Sequence, residues 1–262
     1  LTIQRVTSKL AKTDVLLKNE DIRRFIPATE RMTRSSLAAM LDRYGMVYAK
    51  PDIGTYGNGV IRVDRSGSGY RLRHGTRSYA HTTFDGLYGR IRLIKRPRPY
   101  VVQQGIHLLK HANRRFDLRV MVQRRSDGEW ETTGVIGRLG APRKIVTNYH
   151  NGGTLKPFSV LMSTHLPKEE RSAFLARLHA LGTSVARQLQ TRYPSLKEIG
   201  LDVAVDAKLH PWILEVNTCP DPFIFRKLAD KSIFRRIYRY AAAYGKFNRA
   251  RRRKAARTRR RR

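Results

Sequence analysis

Three residues toward the end of the chain have the chemistry to hold a divalent cation: Asp202, Glu215 and Asn217. Glu215 and Asn217 stand two apart in an apolar run, and residues i and i+2 of a strand face the same side. Asp202 lies in a second such run, Gly200-Leu-Asp-Val-Ala-Val205, and can face them if the two runs pair as strands. Two carboxylates and an amide oxygen form the hard oxygen set that Mg²⁺ takes when phosphates complete its shell. Carboxylates flanked by Leu201, Val203, Leu214 and Val216 are costly to bury unless paired or metal-bound. A strand edge with solvated acids on its polar face has the same pattern.

Two further sets suit phosphate. Lys50 is followed by Pro51 and then by Gly54, Gly57 and Gly59. Glycines let a backbone approach phosphates closely, and a lysine at a strand end supplies charge. No Gly-Lys-Ser/Thr ends the loop, so it is not a Walker A motif, and a plain β-turn has the same composition. Arg119, Arg138 and Asn148 form the third set. Arginine suits bidentate contact with phosphate or carboxylate, although in so basic a chain any one arginine also reads as a solvated surface group.

The elements that must position these residues follow from local pattern. Lys9–Leu17 is amphipathic, Thr33 caps a helix reaching Tyr44, and Gly45 ends it. Met46–Lys50 and Val60–Val63 read as strands joined by the glycine-rich loop. Short strands are expected at Tyr70–Leu72 and Ser78–His81, a helix over Phe84–Leu93, and a strand at Tyr100–Gln104. Phe116–Gln123 alternates, and Trp130–Leu139 is its partner across Asp127-Gly128. Glu169–Tyr193 is the longest helical stretch, and the runs Gly200–Val205 and Trp212–Val216 close the core as strands. Trp212 and Phe116 read as core. There is no internal repeat.

The chain has 262 residues, and its charge is its outlying property: 54 Lys+Arg against 20 Asp+Glu, a net of +34. Residues 246–262 hold eleven of those positive charges and no acid, leaving +23 on the rest. That tail has few apolar groups to bury and repels itself, so it is expected to be disordered and to attract polyanions at low salt. No apolar run approaches the ~20 residues of a membrane helix. Cys219 is the only cysteine, which excludes an internal disulfide and fits a reducing interior. It reads as a small packed residue. The chain opens on Leu1 with no basic-then-apolar leader, so no secretory signal is expected; the expected location is cytoplasmic.

Taken in order, Tyr48-Ala-Lys-Pro-Asp-Ile-Gly-Thr-Tyr-Gly-Asn-Gly59, Phe116-Asp-Leu-Arg-Val120, Thr147-Asn-Tyr-His-Asn-Gly-Gly153 and Ile213-Leu-Glu-Val-Asn-Thr-Cys-Pro220 resemble the ATP-grasp superfamily. Within it the chain is similar to the YheC/YheD endospore coat-associated family over about residues 5–240, which makes spore association the further option for its location. The resemblance implies an α+β fold of two lobes, with ATP between antiparallel sheets. It divides the chain into a short helical segment (1–45, the remnant of a preceding lobe), a small lobe (46–105), a large lobe (106–245) and the tail (246–262).

By the same resemblance Lys50 meets the α- and β-phosphates, and Lys9 matches a second phosphate lysine. Gly54, Gly57, Gly59 and Asn148 belong to the nucleotide site. Gln103, Gln104 and Ile106 line the adenine. Arg119 and Arg138 meet the γ-phosphate or a substrate carboxylate, and Asp202, Glu215 and Asn217 hold one or two Mg²⁺ ions. The implied reaction is ATP-dependent ligation of a carboxylate to an amine or thiol through an acylphosphate. Two departures bear on it. Asn151 stands where related ligases often place an arginine before Gly-Gly, and the usual N-terminal lobe is absent or shortened. Two other readings are a spore-associated structural protein on the same fold, and a polyanion binder acting through residues 246–262.

Overall fold

The computed structural model describes residues 3–95 and 97–247. From residue 248 onward the tail lies outside the described residues, and with it the expectation of disorder.

Local caps set the first elements. Ser8 and Asn19 cap α1 (Lys9–Leu16) and the short α2 (Glu20–Arg23) through their side chains. After β1 (Thr29–Arg31), Thr33 and Ser36 form a reciprocal capping box at the start of α3 (Arg34–Tyr44). Gly45 closes α3 at φ 66°, a left-handed conformation that glycine adopts without a Cβ clash, and turns the chain into β2 (Met46–Pro51).

A meander of β3 (Ile61–Ser66), β4 (Gly69–His74) and β5 (Arg77–His81) follows, then α4 (Phe84–Lys95) and β6 (Tyr100–Gln104). The two-residue β7 (Lys110–His111) precedes the long hairpin of β8 (Arg114–Arg124) and β9 (Trp130–Leu139). Next come β10 (Thr154–Lys156), α5 (Phe158–Met162), α6 (Lys168–Arg192), β11 (Glu198–Val205), β12 (Pro211–Asn217) and α7 (Lys231–Ala243).

These strands form two antiparallel sheets, ordered β1-β6-β2-β3-β4-β5 and β10-β9-β8-β11-β12, with β7 on β8. Each sheet buries one face under helices. In the first, Leu37, Met40 and Leu41 of α3 and Leu87 and Ile91 of α4 pack on Val47, Ala49, Ile61, Val63 and Val102. In the second, Leu178, Val185 and Leu189 of α6 pack with Phe116, Leu118, Val120 and Val122, and Val15, Leu16 and Ile22 join from α1 and α2. The other face of the second sheet is shared. Phe225, Leu228 and Ile237, from α7 and the 3₁₀ turn before it, cover Met121 and Ile136 at one end. At the other end the first sheet stands over it.

Some expectations change. The first 45 residues are divided between both cores, with α1 and α2 on the second sheet and β1 and α3 on the first. Phe116 is core, but Trp212 is only half-buried, its Nε1 donating to Asp206 at 2.9 Å. Cys219 is exposed rather than packed, because it lies just past the end of β12. Among the described residues no helix is long and apolar enough to cross a membrane.

Candidate functional site

A cavity of about 290 Å³ opens between the two sheets. Alternation along the strands builds its walls. The residues of β2 that do not face the α3/α4 core, Tyr48 and Lys50, point into it. Asp117 and Arg138 do the same from β8 and β9, and Asp202 and Glu215 from β11 and β12. Asp202 and Glu215 are cross-strand partners. Just beyond them the pairing shifts by one residue, Val203 opposing Ile213, so Leu214 is the bulged residue. Its carbonyl receives Lys50 Nζ at 3.5 Å and Gln103 Nε2 at 3.4 Å, which ties the two lobes together.

Lys50 is the least expected group to find charged. Its Nζ donates to Gln103 Oε1 at 2.5 Å and has no carboxylate within ion-pair range among the described residues. Burial lowers its pKa from 10.5 to about 8, against a partial upward pull from Glu215. A buried lysine held by neutral oxygens has retained affinity for an anion. Lys9, at the first turn of α1, reaches Glu215 Oε1 at 3.5 Å and the Gly54 carbonyl at 3.2 Å, so it joins the glycine loop to β12.

The loop itself lies down on the segment after β9. Gly57 has φ +73°, and a Cβ there would sit 2.9 Å from Asn148 Oδ1. Asn151 donates to the Tyr56 carbonyl, and Tyr48 Oη to the Ile145 carbonyl at 3.3 Å.

Behind these groups lies a chain of four buried charges. Arg138 donates to both oxygens of Asp117 (2.8 and 2.5 Å) and pairs with Asp202 Oδ2 at 2.9 Å, while Arg119 Nε donates to Asp202 Oδ1 at 2.7 Å. Thr147 Oγ1 adds a bond to Asp117 at 2.7 Å. Burial alone would raise the Asp202 pKa, but Arg119 and Arg138 outweigh it and hold the carboxyl below its usual range. Burial likewise opposes charge on Arg138, and Asp117 and Asp202 more than restore it. Two cations and two anions cancel, so this quartet is a rigid neutral floor. Nη1 of Arg138 takes no part in these bonds.

Of the residues singled out from sequence, Lys50, Gly57, Gln103, Gln104, Ile106, Arg138, Asn148, Asp202 and Glu215 line this one cavity. Lys9 lies behind Glu215 in a smaller adjoining cavity, beside Lys12. Gly54 is engaged through its carbonyl, and Gly59 packs against Arg98 and Tyr100 on the outer side of the loop. Arg119 belongs to the floor, packed against Gly200, but not to the cavity wall, and Asn217, opposite Gly200 on the next strand, is outside that wall too.

The backbone N–H groups of Ile106, His107 and Leu108 donate to no backbone carbonyl among the described residues, leaving that edge open to a heterocycle. Asp117 and Tyr48 were not singled out. The signal for Asp117 was present, as a carboxylate two before Arg119 inside an apolar strand.

The donor set fits Mg²⁺ in kind, being oxygen only. Among the described residues no group of three His, Cys, Asp or Glu side chains is placed to hold a metal. Both Asp202 oxygens are taken by arginines, and Glu215 is the more available carboxylate.

Comparison with known proteins is consistent with this architecture. A family model described as YheC/D-like ATP-grasp matches residues 2–247. The endospore coat-associated proteins YheD and YheC of Bacillus subtilis (strain 168) are similar to the chain. YheD is 25% identical over 229 residues, covering 83% of this chain and 50% of its own length. YheC is 23% identical over 212 residues, covering 78% and 57%. The chain thus spans about half the length of these relatives. Among solved structures, D-cycloserine synthetase DcsG superposes with a TM-score of 0.54 at 14% identity, over 91% of this chain and 70% of that one, a likeness of fold alone.

Proposed function

The chain belongs to the YheC/D-like ATP-grasp family, and from that premise we propose that it binds Mg·ATP between its sheets and activates a carboxylate for ligation. The observation that carries this reading is Lys50: a buried lysine without a carboxylate partner among the described residues, facing Glu215 across a cavity whose wall holds far more cations than anions. Adenine lies against Tyr48 and Ile106, where the open N–H groups of residues 106–108 can donate to its ring nitrogens. Phosphates lie under Gly57 with Lys50 as their cation, and Lys9 joins it only by leaving Glu215 and the Gly54 carbonyl. Glu215, with Asn217 and Asp202, holds Mg²⁺, which when bound neutralises charge on the phosphates.

In this reading the acid's carboxylate oxygen attacks the γ-phosphorus, ADP leaves, and an amine or thiol then displaces phosphate from the acylphosphate. The protein's own contribution is positioning and charge: Arg138 Nη1, fixed by Asp117, meets the transferred group, and the closed glycine loop excludes water. Each Asp202 oxygen already accepts from one arginine, so Asp202 can join the metal only through its remaining lone pairs, beside two cations. That double engagement supports a second reading, nucleotide binding without turnover in a structural protein. The coat association carried in the names of YheD and YheC extends to this chain as part of the proposal, in a spore-associated setting.

ADP release in the presence of Mg·ATP, pooled amino acids and spore-wall precursors separates the two. Substrate-dependent ADP that disappears in Lys50→Ala supports ligation. Nucleotide binding with no ADP from any pool supports the structural reading.

A further inference from the structure

The cavity holds more positive charge than its nucleotide accounts for. Eight lysines and arginines line it against three carboxylates, Asp117, Asp202 and Glu215. Mg·ATP brings roughly two net negative charges. Several cations therefore remain without a counter-charge, and they are not spread evenly.

Arg115 is the most telling of them. It sits at the start of β8, on the same face as Asp117, and is half-buried, its side chain making no hydrogen bond or ion pair among the described residues. Arg73 of the first sheet lines the same cavity, with Arg62 opposite it on the neighbouring strand. Both are bound to the single carboxylate of Asp64, at 2.6 and 2.8 Å. The Nε–H of Arg73 is buried and has no acceptor among the described residues. Burial and the like charges of Arg62 and Arg73 depress the Arg115 pKa, a cost that a bound anion would offset. Lys110 and Asn113, at the turn just before Arg115, line the same end of the cavity. An unpaired guanidinium near a second one that shares its single carboxylate with a third suits a carboxylate or phosphate.

Resting on the nucleotide reading above, we propose that the acid substrate carries two anionic groups, one seated between Arg115 and Arg73 and the other presented at Arg138. Arg115 and Asp117 are two residues apart on one strand face, a spacing of about 7 Å, and Asp117 fixes Arg138. The substrate class is therefore a diacid of about five carbons in span, or a longer acid with the same spacing of charges. Arg115 acts as a specificity residue. It selects which acid is presented and makes no contact with the nucleotide.

Glutarate is the probe, titrated by calorimetry into the full chain saturated with the non-hydrolysable Mg·AMPPNP, with inorganic phosphate in a parallel arm. The expected result is glutarate binding that weakens at least tenfold in Arg115→Gln and several-fold in Arg115→Lys, with nucleotide affinity unchanged within twofold. That unchanged affinity also shows that the variants are folded.

Equal losses of nucleotide and glutarate affinity would overturn the proposal, because Arg115 would then hold the phosphates of ATP itself. Binding of phosphate but not glutarate, or glutarate binding indifferent to Arg115, would do so too. If wild type fails to bind Mg·AMPPNP, the nucleotide reading falls, and the glutarate titration without nucleotide decides the diacid site by the same comparison of variants.

Discussion

Replacing Lys50 with methionine should make the unliganded protein more stable while removing its ligand. The Lys50 ammonium is held at a pKa of about 8, against 10.5 for a solvated lysine. Each unit is worth ~1.4 kcal/mol, so carrying the charge costs the folded state about 3 kcal/mol at its greatest. The unfolded chain keeps this proton up to pH 10.5 and the folded chain only up to about 8. The cost is therefore absent above 10.5, grows as pH falls through that window, and is constant below 8.

Methionine keeps the apolar stem and removes the charge. It also leaves Gln103 Oε1 without its donor, a loss of ~1 kcal/mol. The net expectation is a gain of ~1–2 kcal/mol at pH 7, read as a higher urea midpoint, which disappears by about pH 10.5. Mg·ATP affinity falls at least tenfold in the same variant. A loss of stability at pH 7 that persists unchanged at pH 10.5 would refute the reasoning, because Lys50 would then be a structural strut.

Binding should report the same titration: Mg·ATP affinity in wild type declines above about pH 8, by up to ~10-fold per pH unit as Lys50 loses its proton, and Lys50→Arg removes the decline. Arg138→Ala strips the cation from Asp117 and one of two from Asp202 and should cost ~3–5 kcal/mol in urea unfolding; a loss under about 1 kcal/mol would mean that the quartet is solvated. Gly57→Ala should cost ~1–2 kcal/mol through its positive φ and lift the loop from Asn148. Nucleotide affinity then falls more than stability does, and an unaltered affinity would remove the loop from the site.

Much of the fold was legible because its signals are local. Thr33 and Gly45 bracket α3 by capping chemistry, and alternation marks β8 and β9 whatever their partners. The facing of Asp202 and Glu215 followed from two apolar runs pairing. What was not legible depends on register. The pairing of Asp202 with Arg119 and Arg138 needs β9, β8 and β11 aligned in one register, Arg138 opposite Asp117 and Asp202 opposite Arg119, which no single strand encodes.

Nor did sequence distinguish the arginines. Arg119 and Arg138 lie in a neutral floor, while Arg115, on the same strand as Arg119, has no partner among the described residues. No element was assigned to the α7 segment at the end of the large lobe, where Ile233 and Ile237, which turn toward the core, stand among Lys231, Arg235, Arg236 and Arg239.

The central claim, that the cavity between the sheets is a Mg·ATP site, is tested most directly by calorimetric titration of Mg·ATP into the wild-type chain, with and without Mg²⁺, alongside Lys50→Ala and Glu215→Ala. The account predicts saturable binding at one site, weakened without Mg²⁺ and weakened at least tenfold by either substitution. No binding by the wild type, or binding that both variants retain in full, would contradict it.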